Sequence, residues 1–78
     1  MKKIKLIWDF RGADALKIAE HHVIHLKEYI TIKKTNINIT GFTALTDHHA
    51  IAYMVVTELE MKLIRDTLKP HRGQIYKD

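Results

Sequence analysis

The stretch Thr46-Asp-His-His-Ala-Ile-Ala-Tyr-Met-Val-Val-Thr-Glu-Leu-Glu60, TDHHAIAYMVVTELE, holds a turn, a strand and a helix start in immediate succession. Asp47-His48 is turn chemistry and marks the tip of a hairpin. His49 to Val56 is a strand, with His49, Ile51, Tyr53 and Val55 on one side and Ala50, Ala52, Met54 and Val56 on the other. Neither side is polar, so alternation alone leaves open which side meets the core. Thr57-Glu-Leu-Glu60 is a capping box, in which the Thr hydroxyl satisfies a free amide at the helix start and Glu60 reaches back. The helix that follows runs to about Lys69, where Pro70 stops it.

Upstream of the hairpin tip, Asn36 to Thr46, NINITGFTALT, is rich in β-branched residues and reads as the partner strand, with Gly41 as the candidate bulge. At the N-terminus, Lys3 to Phe10 alternates cleanly. Ile4, Leu6, Trp8 and Phe10 form an apolar face, and Lys3, Lys5, Ile7 and Asp9 take the other. Arg11-Gly12 turns the chain into a helix from about Ala13 to about Ile32, with Asp14 placed for its first turn. Gln74 to Lys77 is a short last strand.

The order is therefore β-α-β-β-α-β, the ferredoxin-like α+β arrangement. It implies an antiparallel four-stranded sheet in order 4-1-3-2, with both helices on one face. Residues 1–78 form a single domain. The other sheet face is open, and the apolar character of both sides of the third strand predicts an exposed patch there. For so short a chain the expected cover is a second copy, sheet on sheet, about a two-fold axis.

Two segments carry a family resemblance. Ile7 to Tyr29, IWDFRGADALKIAEHHVIHLKEY, and Ile51 to Tyr76, IAYMVVTELEMKLIRDTLKPHRGQIY, are similar to a group of small uncharacterised bacterial proteins of the dimeric α+β barrel type. The resemblance implies a homodimer whose two sheets enclose a cavity. Barrels of this kind include monooxygenases, isomerases, haem-degrading enzymes and YCII-like proteins, the last pairing a helix histidine with an aspartate. His25-Leu26 followed by Tyr29 is similar to the YCII helix. The later Asp-Pro of that family is absent here, and Arg65-Asp66 does not replace it. One fold hosts many chemistries, so the resemblance carries the fold further than the function.

Composition narrows the chemistry. There is no cysteine and no serine, which removes disulfides, thiolate metal sites and both common nucleophiles. No Gly-rich phosphate loop or cofactor fingerprint occurs, and the sequence requires no cofactor. The longest apolar run, Ala50 to Val56, is too short for a membrane span, and the basic start lacks a signal-peptide core. The expectation is a soluble cytoplasmic protein with no membrane partner. The net charge of +4 comes from 13 Lys+Arg against 9 Asp+Glu, with the cations scattered along the chain. Mild basicity of this kind serves solubility more often than nucleic-acid binding.

Six histidines remain. On the first helix, about 100° per residue puts Ala15, Ala19, His22, Val23, Leu26, Tyr29 and Ile30 on one stripe facing the sheet. His22 is then a half-buried histidine bonded to a neighbour, or an acid–base group. His21 and His25 share a flank at the i, i+4 spacing of two metal ligands, but no glutamate lies inside the repeat and no further ligand is in view. No metal is favoured. The fold predicts a better cluster elsewhere. Asp9, Arg11, Asp47, His48, His49, His71 and Arg72 all fall at one end of the sheet. Arg11 and Arg72 could grip a carboxylate or phosphate there, with a histidine as acid or base; alternatively His48, His49, His71 and Asp47 are plausible metal ligands, or the edge is ordinary turn polarity, with Asp9 paired to Arg11 or Arg72. Tyr53, on the side of His49, either lines an inter-subunit cavity or packs in the core.

Three functions are weighed on this reading. The first is a homodimeric domain binding a small molecule or anion at the Arg/His-rich edge or in the inter-subunit cavity, with its standing as an enzyme left open. The second is a structural or regulatory protein-interaction module. The third is single-stranded nucleic-acid binding on the sheet face, ranked last because only Tyr53 and Tyr76 offer stacking platforms.

Overall fold

The computed structural model of the chain describes residues 2–36 and 38–77. Its elements are β1 (Lys3–Arg11), α1 (Ala15–Lys33), β2 (Ile39–Thr46), β3 (His49–Thr57), α2 (Glu58–Leu68) and β4 (Arg72–Tyr76). The four strands form one antiparallel sheet in the order β2-β3-β1-β4, which counted from the β4 edge is 4-1-3-2.

Both helices cover one face, and the hydrophobic core lies between. Leu6 and Trp8 of β1 and Ala50, Ala52, Met54 and Val56 of β3 meet Ala15, Ala19, Val23, Leu26 and Ile30 of α1 and Ile64 of α2. This decides the ambiguity of β3. The side built from small residues, Ala50 and Ala52, lies under the helices, where Ala15 and Ala19 also keep the approach short. Tyr53 and His49 fall on the open face. The stripe expected on α1 is the one that is buried, and His22 is half-buried at its edge.

Several boundaries differ from expectation for local reasons. Asp14 is the N-cap of α1 rather than a first-turn residue, and its side chain caps nothing. β2 begins at Ile39 instead of Asn36, because the Asn36 amide donates to Glu60 Oε2 at 3.1 Å and is drawn toward α2; Ile37 of the expected strand lies outside the described residues. The bulge falls between Ala44 and Thr46, not at Gly41. Gly41 serves another purpose: it faces Tyr53 across the strands, and a Cβ there would lie 2.6 Å from Tyr53 Cζ. β4 starts at Arg72, two residues before Gln74.

Terminal chemistry holds the helices. The capping box is complete, with the Glu60 amide donating to Thr57 Oγ1 at 3.3 Å and the Thr57 amide to Glu60 Oε1 at 3.4 Å. α1 and α2 both end on a left-handed lysine, Lys34 and Lys69. The Trp8 indole donates to the Leu68 carbonyl at 3.0 Å, which satisfies an acceptor left over at the end of α2 and fixes that end to β1. No helix among the described residues is long and apolar enough to cross a membrane.

The open face is not the apolar patch that the sequence led us to expect. Its aliphatic members on β1 and β3, Ile7, Ile51 and Val55, are already buried in the single chain, and Ile39 of β2 is partly buried. Val55 lies across from Lys5, and Ile7 across from Tyr53. Large apolar side chains that do reach solvent lie on other elements, among them Ile24 of α1, Phe42 of β2, Leu59 and Leu63 of α2 and Ile75 of β4.

Candidate functional site

Strand register assembles the polar cluster. Arg11 lies directly across from His49 on β3, and Ile7 across from Arg72 on β4. Asp9 sits between them on the same open face, diagonal to both His49 and Arg72. Gly12, at φ 119°, gives the turn a conformation that other residues rarely adopt, and its amide donates to the His48 carbonyl at 2.8 Å. That bond ties the end of β1 to the hairpin tip.

Asp9 is the centre. Arg72 donates to it through Nε, 2.9 Å from Oδ2, and through Nη2, 3.1 Å from Oδ1. His49 Nε2 lies 2.8 Å from the same Oδ1. The Asp9 and His49 side chains are both only 16% exposed, whereas that of Arg72 is 47% exposed. The Arg72 fork first, and the His49 hydrogen bond after it, hold the Asp9 carboxyl well below the usual carboxylate range, against the opposing effect of desolvation. The same contact with Asp9 raises the Arg72 guanidinium above its ordinary value. An ionised Asp9 fixes the ring of His49 with Nε2–H toward it, leaving Nδ1 without a bond to any described residue.

The remaining expected members divide. His71 joins the cluster through the backbone, since its Nδ1 accepts the Asp9 amide at 2.7 Å while its own amide donates to the Ile7 carbonyl at 2.9 Å. Arg11 is exposed, and its side chain has no ion pair or hydrogen bond among the described residues. The His48 amide donates to Thr46 Oγ1 at 3.2 Å. His48 and Asp47 are exposed at the tip, without side-chain partners among the described residues. Two of the Arg72 guanidinium nitrogens, Nε and Nη2, are engaged by Asp9.

His22 lies on the helix side of the same end. Its ring is 5.0 Å from the Trp8 ring and 5.4 Å from that of Phe10, and its buried Nε2 has no hydrogen-bond partner among the described residues, contrary to the bonded histidine expected. Burial, then the charges of His25 and His71, push its pKa below the ordinary histidine value. His21 and His25 stack edge to face at 5.0 Å on the exposed flank, and His25 Nδ1 lies 3.3 Å from Glu28. No group of three or more side chains suited to one metal ion occurs among the described residues. On the open face, Lys5 Nζ lies 4.3 Å from the centroid of Tyr53, so an ammonium already occupies one face of the ring that a base would stack on.

All three members of the triad were legible as candidates. The pairing of Asp9 with Arg72 was one of two alternatives read from the sequence, and the bond from His49 to Asp9 was not read, since it depends on a separate strand register. The role of His71 as a ladder acceptor carried no sequence signal.

Fold and site together define a small α+β domain of β-α-β-β-α-β order that carries a half-buried Asp–His–Arg group on its open sheet face. Comparison with protein-family models, curated proteins and solved structures gives no match to this chain.

Proposed function

We propose that the chain binds a small anionic molecule at the strand-end cluster, with Arg11 and His49 as its contacts and Asp9 and Arg72 as their frame. The observation that carries this reading is the commitment of Asp9 to Arg72 and His49 at once. Removing a carboxylate and an imidazole from water is costly unless something repays it, and nothing in the packing of Ile7 or Ile51 calls for such a group. The arrangement leaves Arg11 as an uncommitted cation directly across from His49. It also presents His49 Nδ1 with its tautomer fixed by Asp9, the way a carboxylate orients an imidazole that handles protons. Arg11 supplies charge, and His49 supplies a directional donor or acceptor according to its protonation. The same geometry extends to acid–base chemistry on the bound molecule.

The test is a thermal-shift and calorimetric titration with inorganic phosphate, sulfate and small dicarboxylates near neutral pH. A ligand that binds only the folded state raises its melting temperature with concentration. Stabilisation by one of these anions is expected, and it is lost in Arg11→Ala and in His49→Ala. No stabilisation by any of them at millimolar concentration overturns the proposal, as does stabilisation that survives both substitutions.

A second reading, a protein-interaction module, draws on Leu59 and Leu63, which stand 83% and 68% exposed one helical turn apart on α2.

A further inference from the structure

The two edges of the sheet are built differently. β4 is short and bears Arg72 and Gln74. β2 has eight residues, ITGFTALT, with neither a charge nor a proline. Such an edge offers backbone donors and acceptors to another strand, and proteins ordinarily blunt it with lysine, proline or a bulge. The bulge at Ala44–Thr46 blunts only the end of this one, and Ile39 to Ala44 pair regularly with β3.

α1 lies beside this edge and is also incompletely covered. Ile24 is 53% exposed and Phe42 39%. The two share a groove whose rim carries Lys17, Glu20 and Lys27. Ile24 is the midpoint of α1, and Phe42-Thr43 is the midpoint of β2. A single two-fold axis through that point therefore centres the strand and the helix on themselves together. The strand is about 26 Å long and the helix about 28 Å, so both run the full seam. Charge agrees with the geometry: Glu20 precedes Ile24 by one turn and Lys27 follows it by nearly one. An antiparallel copy sets each Glu20 near the other chain's Lys27.

We infer that this edge is an interface between two copies of the chain, with β2 pairing antiparallel to β2 of the second copy and α1 lying along α1. The two sheets join into one of eight strands, and Ile24 and Phe42 close over the axis. The open faces, with Asp9, His49 and Arg72, stay clear on both copies, so the inference is independent of the anion site.

Sedimentation or light scattering on the full chain tests it, together with hydrogen exchange of the β2 amides. A dimer is expected, with protection of those amides between Ile39 and Ala44 that point away from β3 and have no partner in the single sheet. Ile24→Glu places like charges at the axis and should weaken association on the order of a hundredfold, as should Phe42→Lys. Both side chains are exposed in the single chain, and circular dichroism confirms that the variants fold. If either fails to fold, the exchange pattern of the unaltered chain decides. Leu63→Glu on α2 and His49→Ala at the anion site should leave the dimer intact. A monomeric chain overturns the inference. So does a dimer that survives both interface variants, and so does one broken by Leu63→Glu or by Lys5→Glu on the open face.

Discussion

The Asp9 amide donates to Nδ1 of His71 across 2.7 Å, just beyond the last pair of the β1–β4 ladder, Ile7 with Arg72. A side chain thus continues what backbone pairing leaves off. The acceptor role requires a neutral ring with its proton on Nε2, because a doubly protonated ring has no lone pair to offer. His71→Ala should cost about 1 kcal/mol and speed hydrogen exchange at the Asp9 amide specifically. Unchanged exchange there would mean the bond contributes nothing in solution.

Asp9 links acid sensitivity to the site. Its carboxyl ionises more readily in the folded chain than in the unfolded one, so its stabilisation is present above the ordinary carboxylate range, about pH 4, and is lost as pH falls through the lower folded value. Asp9→Asn should destabilise at neutral pH by about 1 kcal/mol, a modest figure because solvent screens the Arg72 side of the pair. The variant and the parent chain should converge in strongly acidic solution. Urea midpoints at neutral and acid pH measure both effects.

His22 gives a second pH dependence at higher pH. Its folded pKa lies below the ordinary value of about 6.5, so the unfolded chain takes up its proton first. Stability is unaffected well above that value and falls as pH drops below it. His22→Phe should flatten this part of the profile, with His25 and His71 left in place. A slope between neutral and mildly acidic pH that is the same in both proteins would assign the effect to other groups.

Gly41 and Tyr53 form a testable pair. A methyl at position 41 collides with the tyrosine ring, and overpacking of this kind costs about 1–3 kcal/mol. Gly41→Ala should destabilise the chain by that amount, and far less when Tyr53→Ala is already present. A double-mutant cycle reads the coupling; additive losses would show that the ring does not lie over β2 in solution.

These contacts show where the sequence is legible and where it stops. Thr57 and Glu60 were readable because capping is local and three residues close the box. The apolar face of β1 was readable because only one of its alternations is apolar. β3 could not be oriented, since both its faces are apolar, and the decision depends on which one is small enough to sit beneath α1. Gly41 looked like a bulge because a strand glycine often marks one, yet it is needed for the ring of a residue twelve positions away. The strand-end cluster was legible as a gathering, because topology alone sets which ends of the elements coincide. Its pairing was legible only as an alternative, Asp9 with Arg11 or with Arg72, and the choice of Arg72 rests on the β1–β4 register, which no spacing encodes.

Trp8 has one last consequence. It is the only tryptophan in the chain, it is bonded to the final carbonyl of α2, and the His22 ring lies 5.0 Å away. The molecule therefore carries its own fluorophore at the joint between sheet and helix. Emission should shift to longer wavelength when α2 lifts from the sheet, and it should dim when His22 takes up a proton, because an imidazolium quenches excited indole by accepting an electron. Helix docking and imidazole charge can thus be followed by light from one unlabelled side chain.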